Sequence, residues 1–148
     1  MRAFQFKLEK ILELRLYEER QCELKLAEAT GRCNALHRQI QERNRRKREV
    51  FRERGPLKGD LSSFLLIEHF SWRMKQEIEE LELELEEAEK QRLAMQREFL
   101  EASKRRKILD KLKERKQRVY YREQMKAEQK NLDDISSSMY IRQLEGMK

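Results

Sequence analysis

Proline occurs once and glycine four times in the 148 residues of this chain. A chain so poor in breakers can run as long helices, and the breakers it has gather in one place: Gly55, Pro56 and Gly59. Cysteine is nearly as scarce. Cys22 and Cys33 are eleven residues apart on one helical face, separated by about 16 Å of helical rise, too far for a disulfide. With no CxxC, they are expected to be small core residues in a reducing compartment. There are two histidines, and His69 has no second imidazole or cysteine at ligand spacing, so no metal site is expected. No stretch approaches the 18 or so apolar residues of a membrane span, and neither end shows the apolar core of a signal peptide, so direct membrane insertion is not expected and a cytoplasmic location is.

Charge is what the chain has in abundance. Asp, Glu, Lys and Arg make up 43% of it, against 38% hydrophobic residues, and the net charge is +7. A composition dominated by Glu, Lys, Arg and Leu is that of a long helix or coiled coil rather than a globular core. The charge is banded. Residues 41–55 read QERNRRKREVFRERG and residues 104–118 read KRRKILDKLKERKQR, both basic, while residues 77–89 read EIEELELELEEAE with no positive charge.

The breakers set the layout, an all-α antiparallel hairpin of two long helices in a single coiled-coil domain over residues 1–148. Helix 1 is expected over about 4–54, a hinge over 55–62, helix 2 over about 63–136, and a frayed tail over 137–148, with Ser136, Ser137 and Ser138 ending the helix. Either Asp60 or Ser62 can cap the second helix, with Leu61 and Leu66 as a hydrophobic staple around Ser62. In helix 1 a 3-4 repeat runs through Leu8, Leu12, Arg15, Glu19, Cys22, Leu26, Ala29, Cys33, Leu36, Ile40, Arg43, Lys47 and Val50. In helix 2 the apolar spacing runs through Ile67, Phe70, Met74, Ile78, Leu81, Leu85 and Ala88, then Met95, Phe99, Ala102, Leu109, Leu112 and Val119. Positions equidistant from residue 58 should face each other. The acidic 77–89 face then meets few basic residues and should be exposed, and the second arm should overhang beyond about residue 112.

Some apolar residues exceed what one seam can hold. Phe64, Leu65, Leu66, Ile67, Phe70, Trp72 and Met74 are too dense for a single stripe, so some face outwards or lie beneath the hinge. Phe4, Phe6, Ile11, Leu14, Leu16 and Tyr17 form a second excess, assigned either to a wider core or to a partner-facing surface. His37 reads as a solvated helix position.

No chemistry is encoded in a recognisable form. The chain has no GxxxxGK[ST], GxSxG or HExxH, and its carboxylates are spread along helix faces, so no catalytic residue, cofactor or metal is expected and function should be by binding. Nucleic acid is disfavoured as the partner, because the basic residues alternate with Glu and Asp and no groove-reading motif is present.

The pattern resembles the flagellar FliJ family, the small coiled-coil component of the flagellar type III export apparatus, over nearly the whole chain. The resemblance rests on Phe4, Phe6, Leu8, Ile11, Leu12, Leu14 and Arg15 with Glu18 and Glu19, then on Ile67, Phe70, Met74 and Ile78. Late in the chain it rests on Leu109, Leu112, Lys113 and Arg115, leading to Tyr120 or Tyr121, Glu128, Leu132 and Asp133. It implies a non-enzymatic stalk that enters the hexameric flagellar export ATPase ring, as the γ subunit does in rotary ATPases, promotes its assembly and activity, and touches the cytoplasmic domain of the export gate protein. It also implies a place at the cytoplasmic face of the inner membrane, held through the export apparatus, and possible handling of export chaperones. Carried onto this sequence, the ring-contacting residues are Phe6, Leu8, Leu12, Arg105, Arg106, Leu109, Leu112, Lys113 and Arg115, and the gate-contacting residues are Ile67, Phe70 and Met74. Glu77 stands where the family often has a small residue. The equivalent stalk of a virulence-type secretion system, or a scaffold coiled coil that homodimerises through its overhang, are the alternatives.

Overall fold

A computed structural model describes residues 2–53 and 60–147, and every regular element among them is α-helical. Helix α1 spans Glu9–Glu53 and helix α2 spans Leu61–Gly146. The expected hinge lies mostly at residues 54–59, outside the described residues. At its far side the cap is Asp60 rather than Ser62, since the Asp60 carbonyl accepts the first bond of α2 from the Phe64 amide at 3.2 Å. Leu61 and Leu66 are both exposed, so no staple closes over this end.

The chain forms two compact units, Tyr17–Ser103 and a second made of Met1–Leu16 with Lys104–Lys148. In the first, α1 and α2 pair antiparallel about a core of Cys33, Leu36 and Ala88, with Leu81 and Leu85 packed against it. Small residues at 33 and 88 let the helix backbones approach closely, and the two are 4% and 2% exposed. The 3-4 repeat read in α1 is borne out position by position: all of its residues from Leu8 to Val50 are buried or half-buried. In α2 the residues of the apolar stripe are buried or half-buried from Ile67 to Leu112, and Val119 is exposed. Gly31 lies within α1, which continues through it.

The pairing is displaced from the symmetric expectation. Arg43, expected opposite Arg73, instead donates through Nε to Glu77 Oε2 at 2.9 Å, four residues further along α2. The acidic 77–89 face behaves as expected, with Glu79, Glu80, Glu82, Glu84, Glu86, Glu87 and Glu89 all exposed. His37 is half-exposed, with Nε2 at 3.7 Å from Glu89 Oε1.

In the second unit, residues 2–6 are not helical, contrary to the expected start near residue 4. The Glu9 amide donates to the Phe6 carbonyl at 3.1 Å, a turn that leads into the helix. Phe6 is buried, the Phe4 ring lies 5.5 Å from that of Tyr120, and the Tyr120 hydroxyl donates to the Arg2 carbonyl. A helical first turn would leave its four amides without partners in any case, so these side-chain contacts outweigh what the extra turn would add. The departure also shortens the expected overhang. A non-helical segment covers about 3.3 Å per residue against 1.5 Å in a helix, so residues 2–8 reach α2 as far as Tyr120, well past residue 112.

Nor does α2 end at Ser136, Ser137 and Ser138, as the sequence suggested. It continues to Gly146, and Ser138 Oγ donates to the Asp134 carbonyl at 2.9 Å, a bond made one turn back that keeps the serine within the helix.

Candidate functional interaction surfaces

Three kinds of surface emerge from this framework: a salt-bridged cationic face, an apolar cluster at the start of α2, and an exposed stripe near its end. Among the described residues no group of three His, Cys, Asp or Glu could hold a metal ion, and no described helix is long and apolar enough to cross a membrane.

The residues assigned to ring contact all lie in the unit made of Met1–Leu16 and Lys104–Lys148, but the structure sorts them into two groups. Phe6 and Leu12 are buried, Leu12 at 3% exposure, while Leu8, Leu109 and Leu112 are half-buried. These apolar residues serve first to hold α2 against the N-terminal segment. Of the cations, Lys113 Nζ pairs with Glu9 Oε2 at 2.9 Å, and Arg106 pairs with Asp110 one turn along its own helix. Arg105 and Arg115 are exposed and outward-facing. Arg105 and Arg115 are therefore accessible from solvent, whereas Lys113 and Arg106 are each already engaged by a carboxylate.

The gate-assigned residues divide similarly. Met74 is 3% exposed and belongs to the seam. Ile67 and Phe70 are half-buried and, with Leu66, Val50 and Glu53, line a cleft of about 230 Å³. Around them Phe64, Leu65, Leu66 and Trp72 are exposed, Trp72 at 60%, with the His69 ring stacked 6.3 Å from the indole. The excess of apolar residues noted in the sequence is thus turned outwards. Glu77 accepts from Arg73 of its own helix and Arg43 of α1, fixing a carboxylate where the gate-assigned run gives way to the acidic face.

The basic 41–55 band is also internally engaged. Arg45 bridges Glu42 at 2.7 Å and Glu49 at 3.2 Å along α1. The hydrogen bond from Arg45 holds the Glu42 carboxyl below its ordinary value of 4.5, aided by the charges of Arg45, Arg46 and Arg43 and opposed by desolvation. The contacts that sequence reasoning missed are those of Glu9, Arg2 and Tyr120. The signal for them was the pairing of an aromatic-rich N-terminus with an isolated tyrosine pair at 120 and 121.

The family model described as Flagellar FliJ protein matches residues 4–145, nearly the entire chain. No curated protein and no solved structure matches it.

Proposed function

The chain belongs to the flagellar FliJ family and is a component of the flagellar type III export apparatus, and from that premise we propose that it acts as a non-enzymatic stalk of the export ATPase. In this reading the paired terminal arms enter the hexameric ATPase ring, promote its assembly and stimulate it. The apolar cluster at the start of α2 meets the cytoplasmic domain of the export gate protein, and export chaperones are further partners. The protein then resides at the cytoplasmic face of the inner membrane by association. The observation that carries the proposal is the family match over residues 4–145.

Physical argument supports the mechanism. A two-helix hairpin has neither three- nor six-fold symmetry, so within a ring it contacts the subunits unequally and stabilises one arrangement over others. Exposed Arg105 and Arg115 supply charge for an acidic ring lining, which makes assembly weaker at high salt. At the gate end, Ile67 and Phe70 with exposed Leu65 and Trp72 form the proposed contact. Met74 supports it from beneath, so its replacement would disturb folding before it tested binding.

The experiment is to titrate this protein into the cognate export ATPase and follow ATP hydrolysis and hexamer population in the same samples. Both should rise together and saturate near one chain per ring, and Arg105→Glu with Arg115→Glu should abolish most of the stimulation at low salt. If neither quantity changes under conditions where the ATPase assembles, the stalk reading is overturned. Undiminished stimulation by the charge-reversed variant would overturn the electrostatic part alone.

A further inference from the structure

The stretch of α2 beyond the N-terminal contacts is helical to Gly146, and its side chains are exposed at every position from Tyr121 to Met147 except half-buried Gln124. Within it Tyr121, Met125, Leu132, Ile135 and Met139 recur at 3-4 spacing, and each is more than half exposed, Met125 at 70%. Two charged residues, Glu128 and Arg142, complete the repeat. The flanking positions are unusual for so charged a chain: Gln124, Gln129, Asn131, Ser136, Ser138 and Gln143 are polar and uncharged, and only Arg122 and Glu145, one near each end, carry charge. An isolated helix bearing such a stripe is marginal in water unless something covers it.

We propose that a second copy of this chain covers the stripe, docking antiparallel over residues 121–146. In that alignment Leu132 of each copy packs on Ile135 of the other at the centre, and Met139 lies over Glu128. Met125 receives the aliphatic stem of Arg142, whose guanidinium reaches Glu128 in the next layer of the facing helix. The dyad makes this pair twice. Tyr121 falls opposite Gly146, which has no side chain to oppose the ring. The opposite orientation is disfavoured by the same residues. A parallel, in-register pair would place Glu128 on Glu128 and Arg142 on Arg142 in the seam, like charges meeting where water is excluded. The flanks add no repulsion between identical chains, since the two charged ones, Arg122 and Glu145, fall opposite each other in this alignment, and they offer no net charge to direct a strongly acidic or basic partner. The inference does not depend on the export reading, since it uses none of the residues assigned to ring or gate.

Sedimentation velocity of the full chain between about 1 and 200 µM tests it. About six seam layers should give a reversible monomer–dimer equilibrium with Kd on the order of 10 µM. Glu128→Arg alone and Arg142→Glu alone should each weaken the dimer about tenfold, and the double swap should restore it, because the opposite charges again face each other. Both substitutions are at exposed positions, and circular dichroism of all three variants at low concentration should show unchanged helicity. A chain that stays monomeric to 200 µM overturns the proposal. A dimer that ignores the single swaps, or that the double swap fails to restore, overturns it too, because the antiparallel contact requires that exchange.

Discussion

Two stretches of this molecule carry similar apolar repeats and meet opposite fates. Around Cys33, Leu36 and Ala88 the stripe is closed by a facing helix and nearly inaccessible, whereas around Leu132, Ile135 and Met139 it is open. The repeat alone does not bury a residue; the supply of a facing strip does. In α1 that supply is steady from Leu8 to Val50. In α2 it runs out after Tyr120, where the N-terminal segment ends.

The sharpest way to break the comparison is to place the same charge in both stripes. Leu36→Asp buries a carboxylate with no partner at a position 6% exposed and should cost about 3 kcal/mol, read as a large fall in the thermal midpoint by circular dichroism. Leu132→Asp, at 64% exposure, should change the midpoint of a dilute sample by no more than about 0.5 kcal/mol equivalent. Equal effects would mean that the two stripes are not differently covered.

A smaller effect is expected from the polar edge of the closed seam. Arg43 and Glu77 are each about one-third exposed in a 2.9 Å contact, and Glu77 also accepts from Arg73. A double-mutant cycle with Arg43→Ala and Glu77→Ala should give a coupling of about 0.5 kcal/mol after solvent screening, falling further in high salt. A coupling several times larger would show that charge as well as packing sets the register of the two helices.

The smallest expected effect lies in α1, at Glu42. Its folded-state pKa is depressed by the Arg45 hydrogen bond and the neighbouring arginines, so its contribution is present above the ordinary carboxylate value of 4.5. That contribution is lost as the pH falls through the lower folded value. NMR titration of Glu42 should show that depression, and Arg45→Ala should move the midpoint back up towards 4.5.

How much of this could be read from the residues depended on how local the determining contact is. The seam of α1 was legible throughout, because a repeat of three and four residues fixes which side of a helix faces its neighbour whatever that neighbour is. The alignment of the arms was not: symmetry about residue 58 put Arg43 opposite Arg73, and the actual partner, Glu77, depends on how the chain closes between them. The start of α1 was misjudged for a related reason. Residues 4–8 look helical in isolation, and what holds Arg2 and Phe4 outside a helix includes a tyrosine more than a hundred residues away. At the other end, three consecutive serines suggested a stop, but the Ser138 bond to Asp134 is made within the helix. Burial at the start of α2 was legible in part. Sequence showed that more apolar residues gather there than one seam can hold, but could not separate Met74, sealed in the seam, from Trp72 two residues before it.

Cys33 gives the closed seam a clock. The residue is 4% exposed, whereas Cys22, on the same helix and in the same unit, is half-buried. A thiol reagent can reach Cys33 only while the two helices part, so the rate of its labelling counts those openings, with Cys22 on the same chain as the internal standard. Anything that grips this unit and holds it shut will slow the first rate more than the second, which lets the protein itself report when it has been seized.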